Sequence, residues 1–574
     1  MDSHLRHKIS LLGGCWLAFF LLALRPLESF DTFWQLQSGK YIFQTGQFLY
    51  RDTFSLAADV FRLEHCWLHD LVLYLLHGLG GYALLVLFKA GMIAACGVLL
   101  LGQALRRQVP AEVTVPVLLL CLVASADSWL VRPQLWTFLF SVLYLGLLYA
   151  GRKLGWRAWI WLVPLMLLWA NLHAACIFGF ALLAAFGVGE LWRCLRRETN
   201  WRQFGVFVSV ALAVFGISFV NPYSWRIPLG QLAAHLDQTR VLTGEAASTL
   251  FGNMEWLPPT FAQVPLFYLV MVLWALLILL RLPRRQCDVA ELVFFLGFAY
   301  MGFSQIRHTT LVALLAGFFL PPALWQVVRT WFADRLESPA IRRTLLVLSL
   351  VLLVGLPAMA ALKGRLGLGL KAGNYPVAAA DFLLEKKLPG NIYNAYDWGG
   401  YLMWRLFPDY LVFVDGRSDS REFFDSSTRI ENGLPGWRRD LDRYGVNTII
   451  TRTCFYDSGG PQNLISNLVR QPGWTLVYRD EVAVIFVRDV PASEKVRRRF
   501  GLPSREAYRT MLAEARRLQQ EGYPRPRAWL AIGRASYALG DKATALVAYR
   551  RYLQAAPQDR EARMMVDLLG GGRP

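Results

Sequence analysis

Residues 81–107 read GYALLVLFKAGMIAACGVLLLGQALRR. From 81 to 105 the run carries one charged side chain, Lys89, and it stops at the pair Arg106-Arg107. A helix rises about 1.5 Å per residue, so this run is long enough for a hydrocarbon layer roughly 30 Å thick. Ten further apolar runs surround it, at 9–27, 113–127, 133–151, 156–170, 174–193, 204–220, 264–281, 288–304, 308–328 and 343–362. The pattern predicts eleven membrane crossings, the shortest borrowing a few flanking residues.

Arg106-Arg107 recurs as a theme. With the N-terminus cytoplasmic, the inner loops hold sixteen basic residues, among them Arg152, Lys153, Arg193, Arg196, Arg281, Arg284 and Arg329. The outer loops, longer in total, hold seven: Lys40, Arg51, Arg62, Arg132, Arg226, Arg240 and Arg307. The positive-inside rule then fixes the orientation and leaves everything after residue 362 on the outer, periplasmic side. The first run follows Arg6 and Lys8 like a signal peptide, but Leu22–Glu28 offers no small-x-small cleavage site, so it reads as a retained anchor.

Composition agrees. A chain of 574 residues that is 55% hydrophobic, with mean hydropathy +0.35, is an integral membrane protein with room for soluble domains. The net charge of +19 sits largely in the inner loops and near the C-terminus, where it serves topology, so nucleic acid is not an expected partner. Eight cysteines are scattered without a CxxC and mostly lie in apolar runs, as small hydrophobes do. Cys66 and Cys454 both fall outside; spacing does not decide whether they pair.

The fold class expected is therefore mainly α. A polytopic bundle (1–362) carries outer loops at 28–80 and 221–263, followed by a Gly-rich linker (363–375). A periplasmic α/β domain (376–490) comes next, then a basic helical region (491–574). In the α/β domain, strands are predicted at 391–395, 410–414, 447–451, 474–479 and 482–487, with helices at 376–387, 399–406, 434–443 and 461–470. In the last region Trp529, Gly533, Gly540, Ala545, Tyr549 and Pro557 follow the spacing of one tetratricopeptide repeat. Flanking helices 504–521 and 559–569 would cap it, or a protein partner would bind across 504–569.

Polar motifs gather at the outer turns. They are Glu28-Ser-Phe-Asp31-Thr-Phe-Trp34, Arg51-Asp52-Thr-Phe-Ser, Glu64-His65-Cys-Trp-Leu-His69-Asp70, Asp127-Ser-Trp-Leu-Val-Arg132, Asn171-Leu-His173, Asn221-Pro-Tyr, Glu255-Trp256 and Gln305-Ile-Arg307-His308. Ionisable groups at a bilayer edge are costly unless they face a wet cavity or a partner. Singly, each is explained by helix capping or headgroup contact; together they describe an outward-facing site. Asp31, just past the first run, is placed to take a proton from an acceptor hydroxyl. Arg132 and Arg307 suit a phosphate through their guanidinium forks. His65 and His173 would polarise or relay protons. His65 and His69 stand i,i+4, which on a helix puts both on one face; a divalent metal and ordinary interfacial histidines remain alternatives. Trp34, Trp129 and Trp256 fit an aromatic belt or a sugar platform. Asp397 and the pair Asp415/Arg417 follow predicted strands, where open α/β sheets bind ligands, although Asp-Gly and Gly-Gly also make plain turns. No Gly-rich phosphate loop follows a strand, so no nucleotide is expected.

These strings, with Arg132-Pro-Gln and Tyr396-Asp-Trp-Gly-Gly-Tyr, resemble a bacterial branch of the GT-C-like polytopic membrane glycosyltransferases, often carrying tetratricopeptide repeats. The resemblance covers most of the chain. It implies a polyprenyl-phosphate-linked sugar donor, transfer on the outer side of the inner membrane, and Asp31 as catalytic base. Asn171, Asn221, Glu255 and His308 join the substrate-binding set. Where such enzymes commonly carry an acidic pair or D-x-D in the first outer loop, this chain has Glu28-Ser-Phe-Asp31. The alternative is a non-catalytic envelope scaffold that recruits a partner through its repeat. A transporter is disfavoured because no inverted repeat is visible.

Overall fold

The computed structural model describes residues 3–57, 64–230, 254–331, 339–417, 420–521 and 525–570. The chain divides into two compact units. One comprises Met1–Ser29 with Glu64–Gly369, the other Phe30–Leu63 with Leu370–Pro574. Residues 30–63, part of the first outer loop in the sequence reading, thus belong to the second unit.

The first unit is a helical bundle. Among the described residues, six helices are long and apolar enough to cross a membrane. They are Trp67–Arg106, Gln134–Leu154, Ala174–Leu195, Pro265–Arg284, Ile306–Trp331 and Ala340–Leu362. This corrects the expectation of eleven crossings. Four other runs form shorter apolar helices, Ile9–Ala23, Ala111–Ala124, Trp201–Ile217 and Val289–Ser304. At about 1.5 Å per residue the last three fall short of roughly 30 Å, whereas the first continues back to Ser3. The 156–170 run breaks into Trp156–Trp159 and Leu162–Leu172. The Trp67–Arg106 helix bends at Gly80-Gly81, where Gly81 takes φ 60° and ψ −156°, a conformation only glycine adopts readily. The apolar run quoted first therefore begins at a kink. Helices close up where small residues meet: a Cβ on Gly189 would lie 2.5 Å from that of Ala290. Of the outer loop 221–263, residues 231–253 lie outside the described residues.

The second unit holds a four-stranded sheet, β1 (Asn391–Asn394), β2 (Val446–Thr451), β3 (Trp474–Arg479) and β4 (Val484–Arg488), in the order β1-β2-β4-β3. β1 and β2 run parallel; β4 is antiparallel to both its neighbours. The predicted strand at 410–414 is not one. Val412 N donates to Phe54 O (3.2 Å), and Leu56 N donates to Val412 O (2.9 Å). The Asn394 side chain takes the Phe413 N–H (2.8 Å) and donates to Val414 O (2.8 Å). Side-chain bonding from the end of β1 thus replaces a ladder. Helix Arg421–Glu431 was not anticipated.

The repeat forms helices Arg527–Ala538 and Lys542–Ala555, with Gly533 against the Tyr549 ring. The flanking helices Ala507–Gln520 and Arg560–Leu569 cover it. Ala531, Ile532 and Ala535 share one core with Met511, Leu518, Leu468 and Trp474, so the repeat is fused to the sheet layer.

Candidate functional site

Three strings distant in sequence meet in the second unit. Two glycines permit it. A Cβ on Gly399 would lie 2.1 Å from Val414 O, so the turn after β1 presses on the Asp415 backbone. A Cβ on Gly400 would lie 2.9 Å from Phe30 O and 3.4 Å from Trp34, so the Thr32–Thr45 helix packs on the Gly399–Leu406 helix. Trp34 is spent in that packing and is buried. Asp31 occupies the N-cap position of its helix, yet its side chain makes no cap hydrogen bond. Its Oδ1 instead lies over Gly416, 2.9 Å from where a Cβ would stand.

Beyond Gly416 the loop is pinned. Arg417 donates to Asp415 through its backbone N (2.9 Å), Nε (2.6 Å) and Nη2 (2.7 Å), and through Nη2 to Asp52 Oδ2 (3.1 Å). Asp52 also accepts from Ser55 Oγ (2.5 Å) and Phe54 N (3.0 Å). These side chains are buried; the cluster is a structural clamp as much as a site.

Arg452 follows β2 as Asp397 follows β1. Its side chain is 1% exposed and stands 3.4 Å from Asp397 Oδ2. Trp398 (4.9 Å), Tyr456 (5.2 Å) and Phe30 (5.7 Å) enclose the guanidinium. Among the described residues none of its three nitrogens finds a hydrogen-bond acceptor. Glu514 fixes the next turn, accepting from Thr453 N (2.9 Å), Thr453 Oγ1 (2.7 Å) and Cys454 N (3.0 Å). Burial raises the Asp397 carboxyl above its ordinary value; Arg452 opposes this, while Asp457, Glu514 and Asp31 add to it. Burial, reinforced by Asp397, pushes Glu431 up to about 7. Glu431 also accepts from Tyr396 N (3.3 Å).

The other predicted residues lie in the first unit, most of them bonded to the backbone or to neighbouring side chains. Trp67 Nε1 donates to Asn171 Oδ1 (3.0 Å), and Asn171 Nδ2 to the Leu167 and Val220 carbonyls (both 2.8 Å). Asn221 Nδ2 donates to Ser218 O (2.9 Å) and Ser224 O (3.0 Å), closing its own turn. Thr137 Oγ1 bonds His173 Nδ1 (2.7 Å) and accepts from Trp169 Nε1 (3.0 Å). Burial first, then His65, His69 and Arg307 nearby, hold the His173 imidazole well below its ordinary range, so it is neutral. Arg132 Nη1 pairs with Glu255 Oε1 (3.2 Å) and its Nε donates to Ser29 Oγ (2.9 Å). Arg307 stacks over Trp256 at 4.4 Å. Burial pushes the Glu255 carboxyl up, but Arg132 and Arg307 outweigh it and leave it lowered. His308 meets the Phe178 ring edge at 5.7 Å.

The expected helical pairing of His65 with His69 fails. The helix starts at Trp67, and His69 Nδ1 accepts from Trp136 Nε1 (3.0 Å). Among the described residues no three His, Cys, Asp or Glu side chains are placed to hold a metal ion. All eight cysteines are thiols.

An apolar cavity of about 780 Å³ opens in the first unit, lined by Phe178, Phe180, Phe207, Phe215, Tyr300 and Met301. Ser304, Gln305 and His308 form its polar end, and Gln305 Oε1 is buried without a partner among the described residues. Sequence reasoning missed Arg452, although the rule that selected Asp397, a polar residue at the carboxyl end of a parallel strand, also selects it. It quoted Asp52 without assigning it a role.

A tetratricopeptide-repeat profile matches residues 526–566. No curated protein sequence matches the chain. Among solved structures, it is similar to the Archaeoglobus fulgidus oligosaccharyltransferase tethered with an acceptor peptide containing the NVT sequon. Identity is 9%, with 84% of this chain and 74% of that one covered, at a TM-score of 0.50. The apo form of that enzyme gives 10% identity, 84% and 75% coverage and a TM-score of 0.48. The archaeal oligosaccharyltransferase AglB from the same organism, in complex with an inhibitory peptide and a dolichol-phosphate, gives 10%, 98% and 87%, and 0.49. At such identity the likeness is one of fold. The chain shares the fold of that oligosaccharyltransferase: it is mainly helical, with six helices long and apolar enough to cross a membrane among the described residues, a small sheet and a C-terminal tetratricopeptide repeat.

Proposed function

We propose that the chain is a GT-C glycosyltransferase that moves a sugar from a polyprenyl-phosphate-linked donor to an acceptor hydroxyl or amide. Transfer takes place on the outer side of a bacterial inner membrane, with the N-terminus cytoplasmic and the second unit periplasmic. One observation carries the reading: the Asp31 carboxylate, at the start of its helix, lies over Gly416 beside the Asp415–Arg417 loop. Asp31 takes the acceptor proton as the sugar leaves its phosphate. Asp397 and Arg452 hold the acceptor side. The apolar cavity, with its Ser304/Gln305/His308 end, suits an isoprenoid chain, and Arg132 and Arg307 suit the phosphate.

The test is complementation of a deletion strain by the Asp31→Asn chain, read by glycan profiling. Loss of the glycan with normal protein abundance supports the assignment; full restoration removes it. The repeat favours a second reading, an envelope assembly protein that recruits a partner. There, substitutions on the exposed face of 527–555, such as Val547→Glu, would abolish recruitment while Asp31→Asn would not.

A further inference from the structure

Away from the predicted site, the first unit contains a buried charge network whose members come from the Arg-rich helix ends. Arg152 donates to Asp288 through Nη1 (2.6 Å) and Nη2 (3.2 Å), and through Nε to Glu190 Oε1 (2.7 Å). Arg193 shares Glu190 at 3.1 Å. Arg281 pairs with Glu291 at 2.5 Å. Each of these three carboxylates is thus matched. Arg107 stands among them and, among the described residues, has no carboxylate partner.

Its position has a definite cause. Pro322 lacks an N–H, so the Phe318 carbonyl four residues earlier in the Ile306–Trp331 helix loses its helical donor. Arg107 Nη1 supplies one at 3.3 Å. The guanidinium lies flat on the Phe318 ring (4.0 Å) and near the Tyr149 ring (5.0 Å). Two donors remain unspent and buried, Arg107 Nη2 and Tyr149 OH. A cavity of about 190 Å³ is lined by Arg107, Tyr149, Gln326 and Pro322, and also by the ion-paired Arg281, Asp288 and Glu291. A second, of about 410 Å³, is lined by Arg107, Val109, Trp325, Gln326, Arg329 and Thr330. They share Arg107, Pro322 and Gln326, and the larger brings a second arginine, Arg329, beside an apolar wall of Val109 and Trp325.

A half-buried guanidinium and a phenol that, among the described residues, have no carboxylate bound to them, with Asp288 and Glu291 already held by Arg152 and Arg281, join a second arginine to define an oxyanion site. The apolar wall beside them selects an anion that carries a hydrocarbon chain. We infer that Arg107, Tyr149 and Arg329 bind the phosphate of an anionic membrane lipid at the Arg-rich end of the bundle. The site uses none of the residues assigned to sugar transfer.

The test uses the full-length chain in nanodiscs of phosphatidylcholine containing a minor fraction of phosphatidylglycerol. Native mass spectrometry reads the lipid that is retained. The expected result is selective retention of phosphatidylglycerol, reduced about fivefold by Arg107→Gln, reduced less by Tyr149→Phe, and unchanged by Arg106→Gln on the exposed neighbour. Equal retention of both lipids, or an Arg107→Gln chain that matches Arg106→Gln, overturns the assignment. So does inorganic phosphate in lipid-free detergent protecting the chain from thermal unfolding as well as phosphatidylglycerol does, because the site then takes free anions. Should Arg107→Gln not be recovered folded, Tyr149→Phe decides: undiminished selectivity overturns the site.

Discussion

The polar residues of the first unit and those of the second are spent differently. In the bundle, Asn171 and Asn221 spend their amides on Trp67 and backbone carbonyls, and the Nδ1 atoms of His173 and His69 are taken by Thr137 and Trp136. Around β1 and β2, the Asp31 carboxylate lies over Gly416, Asp397 is held near a guanidinium whose nitrogens find no acceptor among the described residues, and burial raises Glu431 to about 7. The same residue types at an outer turn are therefore architecture in one place and candidate chemistry in the other. Exposure does not separate the two, since His173 and Arg452 are both buried. What separates Asn171 and Asn221 from Arg452 is that their hydrogen bonds are made, whereas the nitrogens of Arg452 find no acceptor among the described residues.

The sharpest way to break this contrast is Asp31→Asn. Transfer should fall by about 10²- to 10⁴-fold, while the isosteric amide leaves thermal unfolding close to that of the native chain. A fall in stability without a fall in rate would return Asp31 to the structural class. Asp52→Ala comes next. It removes one carboxylate from a buried pair and should cost about 3 kcal/mol, read as earlier unfolding of the second unit. Gly416→Ala leaves every functional group in place but pushes the Asp31 carboxylate aside. A loss of roughly tenfold in turnover with unchanged folding is expected. In the bundle, Trp67→Phe deletes a donor to Asn171 and should cost about 1 kcal/mol of stability without changing the rate of transfer.

The smallest effect is a pH dependence. Glu431 titrates near 7 in the folded chain against an ordinary 4.5. The folded state therefore holds a proton that the unfolded state releases, and this contribution to stability is complete below about 4.5 and lost as pH rises through about 7. Hydrogen exchange at 391–398 should speed up across that window in the native chain. Glu431→Gln should flatten the change; an unaltered slope would locate the titration elsewhere.

Much of the fold was legible because periodicity and apolar length are local signals. The runs from 81 and from 308, β2, β3 and both repeat helices follow directly from them. What composition could not supply was where a run is cut short. The 156–170 segment breaks into two pieces, and 113–127 stops as a helix of 14 residues. The strand at 410–414 failed because a side chain, Asn394, takes over the role of a ladder. For the site, motif reading found Asp31, Asp397 and Asp415 but treated all the outer motifs as one pocket. Division of residues 28–80 between two units goes with packing of Gly400 and Gly416 against Phe30, Asp31 and Trp34, hundreds of positions away, which no window of sequence reveals.

That division bears on how the protein is made. Residues 30–63 leave the ribosome among the first, whereas the strands, the Asp415–Arg417 loop and the repeat that complete their unit are synthesised last. During elongation the earliest loop must wait, tethered by the anchor, until the tail arrives. A chain stopped before 399 would carry its proposed base without Gly400, Gly416 and the Asp415–Arg417 loop that surround it, so a product cut there is expected to be inert rather than altered in specificity.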